Sequence, residues 1–339
     1  MEESMRIGDF DTGRRVLIVA EIGNNHEGDP VLAREMVNAA AEAGADAVKF
    51  QTIVPERLVS ALQTERIAQL ARLSLPLDQF ADLAQAARAR GVLFLSTPFD
   101  LDSVDFLNPL VPAFKVSSPD NTFHPLLAAV AATGKPVLLS AGLCRDEELR
   151  TSVDYLRRQW KLAGASGELA LLHCVSSYPT PPGQAGLRAI GGLARFGAEP
   201  GYSDHTLGIE AAVLSVAAGA RIVEKHFTLD KTRPGFRDHQ LSADPVDLAR
   251  MVLRIRQAEE MLGSDSICCA PCEEQGRVAY RRSVVAARDL PRGTTLAAPD
   301  LDWVRPGGGI APGGEEVLLG KCLREAKKRG EMILAGDVR

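Results

Sequence analysis

From Val16 to Phe227 one phrase recurs eight times: a short apolar run ending in polar residues, then a helical pattern, then in most repeats a glycine before the next run. The runs are VLIVAEI, DAVKFQT, VLFLSTP, AFKVSS, PVLLSAG, LALLHC, GYSD and RIVEKHF. Strands that alternate with helices pair in parallel, and eight such units over about 250 residues are what an α/β chain of (β/α)8 type requires. An open doubly wound sheet would carry a glycine-rich turn after its first strand. Here that strand leads into AEIGNNHEGDP, which lacks the GxGxxG spacing. The first repeat is plainly punctuated: Asp29 suits a helix N-cap, Pro30 the first turn and Gly44 the end.

A barrel of this kind carries its chemistry at the C-terminal ends of the strands, so polar residues should collect there. They do, on every strand: Glu21, Asn24 and His26; Lys49 and Gln51; Ser96 and Thr97; Lys115, Ser117 and Ser118; Ser140; His173 and Ser176; Ser203 and His205; Glu224 and His226. A strand shows one face at every second residue, so Ser203 with His205, and Glu224 with His226, each share a face. Parallel neighbours would bring both imidazoles to one mouth, where they are candidate ligands of one cation. Lys49 and Lys115 with Ser118, Ser140 and Ser203 offer ammonium and hydroxyl donors for a phosphate and a carboxylate on one small substrate. Glu21 is a candidate to activate water or position a hydroxyl.

The chain beyond the repeats has three features. Residues 55–76 exceed a usual loop and are expected to form either a lid over the strand ends or a surface helical insertion. Residues 266–278 read as a linker between a barrel domain, 1–265, and a compact β-rich domain, 279–339, whose most distinctive feature is Trp303 and Arg305 before a Pro-Gly turn. Cys268, Cys269 and Cys272 have CxxC spacing without the further ligands a zinc site needs, so ordinary reduced thiols are expected. With a net charge of −5 and no basic stripe, nucleic acid is not an expected partner. No run is long enough to span a membrane and MEESMRIGDFDTGRR has no apolar export segment, so a cytoplasmic protein is expected.

The segments AEIGNNHEGD, DAVKFQT, LSTPFD, HCVSSYPTP, GYSDHT and EKHFT, in this order, resemble the N-acetylneuraminate synthase family. The C-terminal part is similar to the SAF (antifreeze-like) domain of those enzymes. The resemblance implies a TIM barrel with an SAF domain and a homodimer in which each SAF domain caps the partner's barrel. It also implies condensation of phosphoenolpyruvate with an open-chain N-acetylated aldose, dependent on a divalent cation, manganese or magnesium. On matching positions His205 and His226 would hold the metal, and Lys49, Thr97, Lys115, Ser118, Ser140, Ser176 and Ser203 would surround phosphoenolpyruvate. Gln51, Phe99, Asp120, Tyr178, Asp238 and Arg305, the last donated by the partner, would face the acceptor sugar. Asp120 stands where sialic acid enzymes have glutamate, Ser176 where they can have asparagine, and Asp238 is assigned by its spacing to Ser242. Two other readings follow from the residues: a Schiff-base aldolase using Lys49 or Lys115, and a carbohydrate-binding barrel without catalysis.

Overall fold

All eight runs form strands of one sheet, and every hydrogen-bonded pair in it is parallel. The computed structural model describes residues 4–234, 236–264 and 266–339, and the chain divides into two compact units, Met1–Gly263 and Ser264–Arg339. In the first unit the strands are β1 (Leu17–Gly23), β2 (Ala47–Thr52), β3 (Leu93–Pro98), β4 (Phe114–Val116), β5 (Val137–Ser140), β6 (Leu169–Cys174), β7 (Glu199–Asp204) and β8 (Ile222–His226). Their hydrogen-bonded order is β3-β2-β1-β8-β7-β6-β5-β4. Because β3 also lies beside β4, the sheet closes into a (β/α)8 TIM barrel.

The helices are α1 (Pro30–Glu42), α2 (Thr64–Leu73), α3 (Leu77–Ala89), α4 (Leu101–Leu107), α5 (His124–Ala132), α6 (Asp146–Leu162), α7 (Glu210–Ala217), α8 (Asp238–Leu241) and α9 (Pro245–Leu262). The expected start of α1 holds: the Asp29 carboxylate accepts from the Val31 and Leu32 amides, with proline in the first turn. One crossover departs from the repeat. Between β6 and β7 the chain makes 3-10 turns at Pro182–Gln184, Leu187–Ala189 and Gly191–Phe196, where prolines and glycines disfavour an α-helix.

Strand parity sorts the side chains. Outward residues such as Val48, Phe50, Leu171 and Val223 pack with the helices in the main core. Inward residues at the lower levels, among them Leu17, Val19, Ala47, Leu95, Leu138, Leu172 and Ile222, form a second apolar cluster that Met5, Ile7 and Phe10 join. Those three belong to a short N-terminal hairpin, Arg6–Ile7 paired with Phe10–Asp11. The hairpin thus packs apolar side chains against the lower levels of the barrel interior, and the charged layer lies at the upper levels.

The excursion at 55–76 makes a single turn, Pro55–Leu58, and then α2. Its end is seated against the β1 loop at Gly28, whose φ of +79° and close approach to the Arg72 carbonyl leave no room for a Cβ. In the second unit, the stretch expected as linker is partly ordered: α10 (Glu274–Tyr280) follows a 3-10 turn, and the Gly307 amide donates to the Val278 carbonyl at 2.7 Å. Strands β9 (Ser283–Ala286) and β10 (Leu301–Val304) pair antiparallel over an apolar cluster that includes Val284, Leu290, Leu318 and Ile333. All six cysteines are free. Among the described residues no helix is long and apolar enough to cross a membrane.

Candidate active site at the barrel mouth

One level above the apolar floor, inward parity places four buried charges together. The Lys49 ammonium lies 2.7 Å from Glu21 and 3.7 Å from Glu224, while Lys115 lies 3.5 Å from Glu224. Neutral groups complete the layer: Gln51 donates to Glu21 at 3.0 Å, Ser203 donates to Glu224 at 2.8 Å, and the Thr97 hydroxyl accepts from Lys49 at 3.2 Å. Two ammonium groups and two carboxylates balance, which makes burial of all four tolerable.

The balance is uneven between the lysines. Burial opposes the charge of Lys49, but Glu21 and Glu224 more than offset it and leave its pKa raised. Burial pushes the Lys115 ammonium below its ordinary value, with Glu224 only a partial offset. Burial would raise Glu224, yet Lys115 and Lys49 hold it at about 2. Glu21 is raised by burial despite Lys49. Lys115 is therefore the cation with the least compensation, the one that an incoming anion would stabilise most.

Next to Lys115 is a cradle of hydroxyls. The Gly142 amide donates to the Ser118 hydroxyl at 3.2 Å, and Asn121 fixes the loop by donating to the Gly142 carbonyl at 2.8 Å. A Cβ on Gly142 would sit 2.6 Å from the Ser118 oxygen and 2.7 Å from that of Ser176, so a glycine keeps this space open. The hydroxyl oxygens of Ser140 and Ser176 are buried without a protein partner. Such donors look for an acceptor, and an oxyanion supplies several.

Above the charged layer, the His205 and His226 rings lie 5.4 Å apart between centroids. The Tyr178 ring lies 4.1 Å from His205 and 6.0 Å, edge-on, from His226. His205 Nδ1 meets the Val175 carbonyl at 2.8 Å; the N–H must be on that nitrogen, so in the neutral ring the lone pair is on Nε2. Burial lowers His205, but its contacts with the Cys174 thiol and the Val175 carbonyl leave it raised. His226 is pushed well below its ordinary value by burial and then by His205, so it is a neutral imidazole, the form a metal requires. Its Nδ1 is buried without a partner. Among the described residues no group of three or more His, Cys, Asp or Glu side chains could hold an ion. The protein's donor set is therefore two imidazoles, and it fits a cation whose other positions are taken by water and substrate oxygens, as catalytic sites leave them.

The pair is braced from behind. Asp204 and Lys225, register partners on β7 and β8, each precede one of the histidines. Facing outward, they form a buried 2.9 Å ion pair, and Asp204 also accepts from the Tyr202 hydroxyl and the Thr206 amide. A buried pair of this kind adds little net stability; its consequence is that the two strand ends are held together where the imidazoles emerge.

A deep cavity of about 60 Å³ is lined by the charged layer and by Ser118, Ser140 and Ser203; Ser176 lies behind it, against Gly142. The deep cavity opens into an outer one of about 650 Å³. Gln51, Phe99 and Tyr178 line both, and Asp238 lines the outer one. Asp120 lines neither; its carboxylate accepts from the Ser117 hydroxyl. Arg305 is exposed on the second unit, its guanidinium 5.7 Å from the Tyr280 ring. A groove of about 920 Å³ at the opposite end of the barrel runs past Trp160, Arg157 and Arg221, at the end where barrels of this class do not place chemistry.

Not every polar strand end faces the mouth. Ser96 bonds Thr52, His173 meets the Ala185 carbonyl, and His26 accepts from the Gly28 amide. Ser96 and His173 occupy outward positions on their strands, so Thr97 and Cys174 are the cavity residues there. Sequence reasoning gave no role to Glu224, although its spacing of two from His226 was the signal. It also passed over Gly142 and Asn121, whose contributions are backbone geometry and loop support.

Residues 36–266 match the NeuB family and residues 281–339 the SAF domain. N,N'-diacetyllegionaminic acid synthase of Legionella pneumophila is 38% identical over 332 residues, covering 94% of this chain and 93% of that one. N-acetylneuraminate-9-phosphate synthase of Mus musculus is 36% identical over 295 residues, covering 82% and 80%. The crystal structure of N-acetylneuraminic acid synthetase from Leptospira borgpetersenii, in complex with citrate, superimposes with a TM-score of 0.76 at 34% identity, covering 81% of this chain and 95% of that one. A family match over most of the chain, and relatives of this identity over nearly its whole length, establish that the chain belongs to the NeuB family of sugar-acid synthases and ends in an SAF domain.

Proposed function

We propose that this enzyme condenses phosphoenolpyruvate with the open-chain aldehyde of an N-acetylated aldose, N-acetylmannosamine-like or a 2,4-diacetamido hexose, and releases phosphate with C–O cleavage to give a nonulosonic acid. The observation that carries this reading is the stacking of a hydroxyl and lysine cradle directly beneath two histidines. Lys115 and Lys49, with Ser118, Ser140, Ser176 and Ser203, hold the phosphate and carboxylate of phosphoenolpyruvate, and Thr97 keeps Lys49 in place. His205 and His226 hold a divalent cation, Mn2+ or Mg2+, which when bound polarises the aldehyde as a Lewis acid. C3 of phosphoenolpyruvate attacks the aldehyde carbon, and positive charge develops at C2, where Glu21 and Glu224 face it. Water then adds to C2, giving its proton to Glu21, whose raised pKa suits it to accept one. The proton taken by Glu21 passes to the former aldehyde oxygen, and collapse of the adduct breaks the bond from C2 to the phosphate oxygen, the C2 hydroxyl giving its proton to the departing phosphate as the ketone forms.

The test is phosphate release from phosphoenolpyruvate, with Mn2+ and a panel of N-acetylated hexoses, together with the mass of the product. Release that requires both acceptor and metal is expected. No release with any acceptor would return the chain to a binding role. A second reading, Schiff-base catalysis, has one observation in its favour, the lowered pKa of Lys115. Borohydride trapping separates the two: a lysine adduct, with activity surviving a chelator, would replace the metal reading.

Arg305 extends the proposal to a homodimer. Exposed on its own unit, with its guanidinium over Tyr280, it is available to a neighbouring mouth, where a guanidinium would clamp the acceptor alongside Gln51, Phe99, Tyr178 and Asp238. Inactive His226→Ala and Arg305→Ala enzymes are expected to recover about a quarter of wild-type activity when mixed, the fraction that random subunit exchange sets for one intact site in a mixed dimer. Absence of recovery, despite subunit exchange seen by mass spectrometry, would refute sharing of the partner subunit's Arg305.

A further inference from the structure

Two charged residues stand where an apolar pair would serve the core better. Strand parity turns Asp204 and Lys225 outward, among side chains such as Leu171, Tyr202 and Val223 in the core between barrel and helices. Asp204 is 0% exposed and Lys225 1%. Aliphatic side chains of similar volume would fill this space without taking two charges out of water, and such a replacement is commonly neutral or stabilising. Stability therefore gives no reason for the pair, and the reason lies in what the two groups hold.

The Lys225 ammonium reaches both neighbours of His205. It donates to the Asp204 carboxylate at 2.9 Å and to the Thr206 carbonyl. Asp204 closes the ring by accepting from the Thr206 amide at 2.8 Å, and it also accepts from the Tyr202 hydroxyl at 3.1 Å. Lys225 is itself the residue before His226, so one ammonium ties the chain on either side of one imidazole to the neighbour of the other.

The two histidines do not depend on this tie equally. His205 is oriented by the Val175 carbonyl at Nδ1, and its own carbonyl accepts from the Thr180 amide at 2.8 Å. His226 Nδ1 is buried without a partner, so the place of that ring follows its strand end, where Lys225 is the link toward His205. Among the described residues no third donor joins the two imidazoles, and nothing else corrects an error in their spacing.

Resting on the metal-dependent condensation proposed above, we infer that Asp204 and Lys225 are positioning residues of the cation site, which fix the separation of the His205 and His226 imidazoles and through it the affinity for the divalent cation. Facing away from the mouth, neither touches the cation or a substrate.

The experiment is Mn2+ titration of the enzyme without substrates, followed by electron paramagnetic resonance. Asp204→Asn/Lys225→Met removes both charges together, so neither is stranded, and the asparagine keeps an oxygen for Tyr202 and Thr206. This double variant is expected to bind Mn2+ about 10–100-fold more weakly than the wild-type enzyme, the usual effect of losing groups that orient metal ligands. Asp204→Asn alone should show part of that loss, and carries the test if the double variant does not fold. Asp46→Asn/Arg256→Met removes a 2.6 Å ion pair at the opposite end of the barrel, just before β2, and should leave Mn2+ affinity unchanged. Wild-type affinity in the folded Asp204 variants, or an equal loss in the Asp46 variant, would overturn the assignment while leaving the condensation intact. A wild-type enzyme that takes up no Mn2+ would overturn the cation site and the assignment with it.

Discussion

His226→Ala is expected to reduce phosphate release from phosphoenolpyruvate by about a thousandfold or more, because a Lewis-acid contribution of several kcal/mol is lost and each factor of ten corresponds to about 1.4 kcal/mol. The fold should survive. In the folded protein His226 Nδ1 has no hydrogen-bond partner, so truncation strands no polar group, and the thermal midpoint should fall by only a few degrees for the small cavity left behind. Binding separates this from a structural role: Mn2+ titration followed by electron paramagnetic resonance should show tight uptake by the wild-type enzyme and little by the variant, whether or not substrates are present. Wild-type enzyme treated with a chelator should match the variant. Full activity of the variant in metal-depleted buffer would remove His226 from the cation site.

The histidine pair was legible in sequence for a simple reason. Inside a barrel, period-two alternation makes the residue two before or after a mouth residue its neighbour, so Ser203 and His205, or Glu224 and His226, identify each other. The same rule carried Glu21, Lys49, Thr97, Lys115 and Ser140 into one cavity. It worked less well where the strand ends give way to loops. At Glu21 and Gly23 the register shifts, and beyond it the backbone no longer alternates; Asn24 reaches the outer cavity while His26 turns toward the Gly28 amide.

Other parts had no signal to read. The N-terminal hairpin packed against the lower levels of the barrel consists of strands of two residues each, too short for any periodicity. The role of Gly142 depends on which hydroxyls surround it, a tertiary fact. For residues 55–76 the lid and the surface insertion were equally compatible with the pattern, since α2 has many exposed residues; the decision comes from Leu70 and Leu73 facing the cavity. Asp120 shows spacing and local geometry pointing different ways. A carboxylate two residues from a cradle serine looks like a substrate contact, but the 3-10 turn Ser118–Asp120 directs it to Ser117.

Lys115→Met tests the other half of the site. Loss of a charge-assisted contact to an anionic substrate is worth about 1.5–3 kcal/mol, so kcat/KM for phosphoenolpyruvate should fall by about a hundredfold, with Lys115→Arg retaining part of it. Stability should change far less. The folded pKa of Lys115 lies below the ordinary lysine value of 10.5, because burial outweighs the attraction of Glu224. The folded state therefore holds this proton less tightly than the unfolded chain does, and stability rises with pH between the lowered folded value and 10.5. Below that window the charged side chain costs stability in full. Methionine fills similar volume without charge, and Glu224 keeps Lys49 at 3.7 Å and the Ser203 hydroxyl at 2.8 Å. At neutral pH removing the ammonium relieves its own burial cost but leaves Glu224 with Lys49 alone as counter-ion, so the melting temperature of Lys115→Met should stay within a few degrees of that of the wild-type enzyme, and the relief should shrink as pH rises toward 10.5. The alkaline limb of kcat/KM should likewise fall below the ordinary lysine range in the wild-type enzyme and move upward in Lys115→Arg. A drop of many degrees in Lys115→Met would instead make the lysine a structural counter-ion of Glu224. Retained stability with lost turnover would mean that a buried ammonium is maintained, at a cost to the fold, for the anion it meets.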